Sequence, residues 1–108
     1  MVAVDTQVLQ EIVARIAQAM RPRKIVLFGS RARGETRPES DIDLLVIADS
    51  TEPRHRRSAP LYGLLSDILA PMDILVYTPA EVDDWREVPQ AFVTTALREG
   101  KVLYEDQG

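Results

Sequence analysis

The chain has 108 residues, 45% of them apolar, and a net charge of −4, proportions that predict a single domain over residues 1–108 with one modest core. Cysteine is absent, which excludes disulfides and thiolate metal sites, and no apolar run approaches the length of a membrane span. The charge is uneven: residues 1–40 carry seven basic and four acidic side chains and residues 66–108 carry three and nine, which disfavours a broad nucleic-acid-binding face.

In chain order, Val8, Leu9, Ile12, Val13, Ile16, Ala17 and Met20 recur at helical spacing and predict an amphipathic helix over 6–20. Asp5 is its expected N-cap, with Val4 stapled against Leu9. Asp5 and Glu11 also interrupt any signal-peptide pattern, so a reducing cytoplasm is the expected compartment. Arg21-Pro22-Arg23 ends the helix, and Lys24-Ile25-Val26-Leu27-Phe28 stops abruptly at Gly29, as a buried strand does. Ser30 stands where a short helix is expected to begin, running through Arg31-Ala32-Arg33 to Gly34, and residues 36–40 read as the returning loop. A second strand follows, Ile42-Asp43-Leu44-Leu45-Val46-Ile47.

Within residues 53–70, Leu61, Leu64, Leu65, Ile68 and Leu69 predict one helical face, with Pro60 at its first turn or at a kink. The basic run Arg54-His55-Arg56-Arg57 before it reads as a solvated face. Met72–Tyr77 is a third strand, and Pro79 suits the first turn of a helix that reaches Trp85, a residue expected to pack at a half-buried edge. Pro89 opens a last helix bearing Phe92, Val93, Ala96 and Leu97 and closed by Gly100. Lys101–Glu105 is a short edge strand. These elements predict an α+β, two-layer fold: a mixed β-sheet with helices packed mainly on one face, the other face open.

Two features of this layout carry chemistry. Gly29 has no Cβ, so a phosphate can come close to its backbone, and a helix starting at Ser30 would offer unpaired N–H groups to an anion. Arg31, a cation at a helix start, implies a compensating anion there, whereas Arg33 reads as structural. After the loop, strand alternation puts Asp41 and Asp43 on one face, where two carboxylates repel unless a cation lies between them. Mg²⁺ suits this setting, because it takes one or two carboxylates and completes its shell with water and substrate phosphate. Asp73, embedded in an apolar strand, joins them if that strand pairs beside the second. Three carboxylates on one face suit two metal ions, one on the leaving phosphates and one on an attacking hydroxyl.

Gly29-Ser30-Arg31-Ala32-Arg33-Gly34-Glu35 through Ser40-Asp41-Ile42-Asp43-Leu44-Leu45-Val46 resembles the signature of the DNA polymerase beta-type nucleotidyltransferase superfamily. It is most similar to the minimal nucleotidyltransferase branch of bacteria and archaea, and the resemblance covers nearly the whole chain. It implies the two-layer polymerase beta-like fold and Mg²⁺-dependent transfer of a nucleotidyl group, usually AMP from ATP, with release of pyrophosphate. It further implies that Gly29 and Ser30 hold the triphosphate, that Asp41 and Asp43 bind both metals, and that Asp73 is the third carboxylate. Template-reading polymerase activity is not expected of so acidic a chain.

The acceptor is the open term. A chain this short presents no second domain to close over a nucleotide, so an acceptor brought by another protein fits. Minimal nucleotidyltransferases of this kind are similar to antitoxins that pair with a HEPN-domain ribonuclease toxin and adenylylate it on tyrosine, and protein adenylylation is therefore the first expectation. Transfer to a small molecule, as in aminoglycoside nucleotidyltransferases, is the second. A non-catalytic module that neutralises a partner by covering its surface is the third.

Overall fold

The computed structural model describes residues 6–29, 32, 41–88 and 90–106. Helix α1, Thr6–Met20, forms as its spacing predicts, with Ile12 and Ile16 fully buried one turn apart. It ends at Arg21, whose φ of 50° lets its N–H donate back to the Ala17 carbonyl at 3.0 Å, and the buried Pro22 cannot continue the helix. Asp5 and Val4 lie outside the described residues.

Four strands, β1 (Lys24–Phe28), β2 (Ile42–Ile47), β3 (Met72–Tyr77) and β4 (Lys101–Glu105), stand in the order β3-β2-β1-β4. β1 runs antiparallel to β2 and β4, while β2 and β3 are parallel, so the sheet is mixed as expected. The parallel pair requires a crossover, supplied by α2 (Arg54–Arg57) and α3 (Ala59–Leu64). Two further helices follow, α4 (Pro79–Trp85) and α5 (Phe92–Glu99).

Alternation sorts the strand residues into two cores. Ile25, Leu27, Ile42, Leu44, Val46, Ile74 and Val76 join Ile12 and Ile16 of α1, Leu61 of α3 and Leu65 just beyond it. Val26, Leu45 and Ile47 face the other way and meet Val93 and Ala96 of α5, with Val82 of α4 packed against them. The α+β class and the mixed sheet stand, and the larger core does lie on one face. The second face, however, is not bare. Leu44-Leu45-Val46-Ile47 is apolar at every position, so both sides of β2 need cover over that length. Each fully buried Leu, Ile or Val contributes roughly 1.5–3 kcal/mol.

Residues 53–70 differ most from expectation. α3 stops at Leu64, with Pro60 in its first turn, so the single helical face is not completed. Leu61 and Leu65 are buried, whereas Leu64 and Leu69 are 39% and 79% exposed. The basic run is not uniformly solvated either. The Arg57 side chain is only 8% exposed and grips Glu81 with both terminal nitrogens, at 2.6 and 3.2 Å. Its remaining donors reach the Glu52 and Val76 carbonyls. Glu81 also closes a capping box with Thr78 at the start of α4. The Arg57 guanidinium therefore holds the Glu81 carboxyl below the usual glutamate range, helped by the Thr78 N–H.

Both sheet edges are guarded. On β3 the Ile74 N–H donates to the Tyr62 hydroxyl at 2.8 Å and the Val76 carbonyl accepts from Arg57, while β4 shifts register where it passes Ile25 and Val26. α5 runs from Phe92 rather than Pro89, which lies outside the described residues. Gly100 closes it with an ordinary φ of −80°, and its role is close approach, since a Cβ there would press on the Leu27 carbonyl at 2.8 Å. Among the described residues no helix is long and apolar enough to cross a membrane.

Candidate active site

One row crosses three strands. Phe28, at the end of β1, pairs with Asp43 of β2, and Asp43 pairs with Asp73 of β3. The parallel register that puts Asp73 beside Asp43 is what the alternation argument required, and adjacent strands lie roughly 4.8 Å apart. Both aspartates are on the α4/α5 side of the sheet, on the face of Leu45, Leu75 and Tyr77. Asp43 is half-buried and Asp73 exposed. Asp41 is exposed one residue before β2, where the Ile42 N–H donates to the Pro71 carbonyl at 2.9 Å.

Gly29 completes the row. Its φ is +78°, a region that side chains with a Cβ rarely adopt, and a Cβ at this position would fall on the Asp43 carboxylate. Glycine is thus required twice, for the dihedral and for the contact. The Gly29 backbone itself therefore lies close beside the Asp43 carboxylate. Ser30 and Arg31, the other expected phosphate ligands, lie outside the described residues, as do Arg33 and residues 34–40.

Beside Gly29 is a cavity of about 140 Å³ lined by Phe28, Phe92, Thr95, Ala96, Glu99 and Gly100. The Phe28 and Phe92 rings meet edge to face, 5.2 Å between centroids and 82° between planes. Sequence reasoning placed Phe92 on the packing face of the last helix and gave it no part in a site. Its position after β1 in space follows from the antiparallel docking of β4, which no local pattern encodes.

The profile of the family described as Polymerase beta, Nucleotidyltransferase matches residues 10–108. The chain belongs to that family.

As a nucleotidyltransferase it has relatives of two lengths. It is 29% identical over 104 residues to a Methanocaldococcus jannaschii protein named "Putative protein adenylyltransferase", covering 93% of this chain and 98% of that one. It is 34% identical over 106 residues to the bifunctional uridylyltransferase/uridylyl-removing enzyme of Xanthomonas campestris pv. campestris (strain B100), covering 96% of this chain but spanning only 12% of that enzyme. Among solved structures, a chain from a crystal structure of a toxin–antitoxin with AMP-PNP superimposes with a TM-score of 0.62 at 23% identity, over 91% of this chain and 74% of the other. That likeness concerns the fold.

The donor set of this nucleotidyltransferase fits magnesium in kind. Asp43 and Asp73 are hard oxygen donors in one row, and an anion held by the backbone at Gly29 would meet the Asp43 carboxylate unless a cation lay between them. A preassembled cage is not present: among the described residues no three Asp, Glu, His or Cys side chains are grouped closely enough to hold a metal. The convergence of three aspartates on one point, expected from alternation, is thus realised as a register pair with Asp41 exposed beside it, because Asp41 stands outside the β2 ladder. Magnesium needs only one or two carboxylates when substrate phosphates complete its shell.

Proposed function

We propose that this protein transfers AMP from ATP to a hydroxyl of a partner protein, as an antitoxin acting on a HEPN-domain ribonuclease toxin would. The observation that carries the reading is the Asp43 carboxylate, set against the Gly29 backbone at positive φ and opposite Asp73 in the next strand. Phosphoryl-type transfer asks for this combination of anion-accepting backbone and paired carboxylates, because its catalysis is mostly positioning and charge neutralisation. The choice of a protein acceptor is supported by the relative named a protein adenylyltransferase, which this chain matches over 98% of that relative's length. The choice of a toxin is supported by the fold shared with a toxin–antitoxin chain.

In this scheme Asp41, Asp43 and Asp73 would hold Mg²⁺, two ions in all, and Gly29, Ser30 and Arg31 would hold the triphosphate. Bound there, magnesium would neutralise the phosphates and lower the pKa of the acceptor hydroxyl. The acceptor oxygen forms a bond to the α-phosphorus as the bond to pyrophosphate breaks. The hydroxyl proton passes to Asp73, the exposed carboxylate of the row.

The test is intact-mass spectrometry of a candidate partner, the product of the adjacent gene, after incubation with this protein, ATP and Mg²⁺. One added adenylyl group, lost in the Asp41→Asn, Asp43→Asn double variant, is the expected result. A tight complex without any adduct would replace the transferase reading with that of a binding module. Full transfer by the double variant would sink the residue assignment.

A further inference from the structure

A second hollow, about 240 Å³, opens on the same sheet face between α4 and α5, lined by Arg54, Tyr77, Trp85, Ala91, Phe92 and Val93. We propose that it docks a segment of the acceptor protein in which an aromatic side chain is flanked by acidic residues. The inference rests on the protein-acceptor reading above and adds how that acceptor is chosen. Size and lining argue for the aromatic anchor. A cavity of roughly 150 Å³ takes a benzene ring, and here Trp85 and Phe92, each 45% exposed, form apolar walls around a larger space.

Charge argues for the acidic flanks. The Arg54 guanidinium lies 4.9 Å over the Tyr77 ring and makes no direct ion pair among the described residues, although its charge also acts on Glu81. His55 and Arg56 are exposed next to it, whereas Arg57 is consumed by Glu81. A carboxylate beside the anchor would give Arg54 a direct ion-pair partner, and a polycationic small molecule would be repelled by it.

Position argues for an acceptor. Phe92 is a shared wall between this hollow and the cavity at Gly29. Tyr77 lies on the same face of β3 as Asp73, four residues along, roughly 13 Å at the rise of a strand. A segment anchored between Trp85 and Phe92 therefore reaches the carboxylate row with about four extended residues.

Trp85 is the only tryptophan in the chain and lines the hollow, so its emission reports occupancy directly. The probes are a blocked pentapeptide, Glu-Glu-Phe-Glu-Glu, and its lysine counterpart, titrated into the full chain without ATP or Mg²⁺. The glutamate peptide is expected to shift Trp85 emission saturably and to bind at least about tenfold more tightly than the lysine peptide, a margin of ~1.4 kcal/mol. Arg54→Glu, an exposed position whose change leaves both cores intact, should reverse that order. Absence of a shift, equal binding of both peptides, or an unchanged order in Arg54→Glu would overturn the proposal. So would a Trp85 shift on raising the protein concentration alone, which would assign the hollow to a second copy of the chain. Because the titration needs no catalysis, peptide binding by a protein that adenylylates nothing would sink the transferase reading and leave the docking surface standing.

Discussion

The face of the sheet under α1 and α3 is apolar from end to end, whereas the face under α4 and α5 is apolar only from Leu45 onward and gives way to Asp43 and Asp73. The same strands build both. In β2, Ile42, Leu44 and Val46 go to the first face and Asp43, Leu45 and Ile47 to the second, so one strand supplies a core and a row of charge. The first face stabilises and the second presents the reactive end. A slip of one residue in β2 would bury Asp43 and expose Leu44, so the closed face is also what fixes the register of the acidic one.

The comparison can be broken at four places, in descending order of expected effect. Asp43→Asn keeps the shape of the side chain and removes its charge. Adenylyl transfer should fall by about 1,000-fold, or ~4 kcal/mol, while the thermal unfolding midpoint stays near the parent value. Calorimetry with a single-turnover assay checks both halves, and a midpoint that collapses would return Asp43 to a structural role.

Leu44→Ala, one residue away on the closed face, should do the reverse. It should cost roughly 2–5 kcal/mol in urea denaturation and leave the activity per folded molecule largely intact. Gly29→Ala sits between the two, since its Cβ would strain φ and press on Asp43. Its stability loss should be about 1–3 kcal/mol, and its activity loss should exceed what the unfolded fraction explains.

Arg57→Met tests the link between α2 and α4 and touches neither the row nor the larger core. Leaving the Val76 and Glu52 carbonyls without the Arg57 donor, and Glu81 with only the Thr78 N–H, should cost about 1–2 kcal/mol at neutral pH. The pH sign follows from the direction of the Glu81 shift. Its folded pKa is depressed, so the contribution is present above the ordinary glutamate value of about 4.3 and is lost as pH falls through the lower folded value. Stability curves of parent and variant, measured by chemical denaturation between neutral and acid pH, should therefore converge on the acid side.

What was legible in the sequence was local. Helix α1, the four strands and the start of α4 lie where periodicity and Pro or Gly punctuation put them, because each is specified by its own residues. The glycine after β1 and the acid at the second position of β2 could be singled out for the same reason. The failures came from contacts that a local pattern does not carry. Leu64 and Leu69 carry the helical period but stay 39% and 79% exposed; α3 ends at Leu64, and Leu69 lies beyond it. Arg57 looks like its neighbours in the run and differs only in having Glu81 opposite it, 24 residues away. The structure shows Glu81 closing a capping box with Thr78 and also holding Arg57, two roles that its place in the sequence was not read to have.

The sequence by itself determined the alternation that sends Asp43 and Asp73 to one side of their strands, and the residue types that make phosphate-transfer chemistry possible there. Only the tertiary structure decided that β2 and β3 are parallel neighbours with Asp43 opposite Asp73, and that Asp41 stands outside the ladder. It also decided that the Gly29 backbone closes on the Asp43 carboxylate and that Phe92 joins two hollows on that face. The physical reason is range. Dihedral preference and side-chain alternation act within a few residues, whereas strand neighbours and register are set by which apolar faces can be buried together.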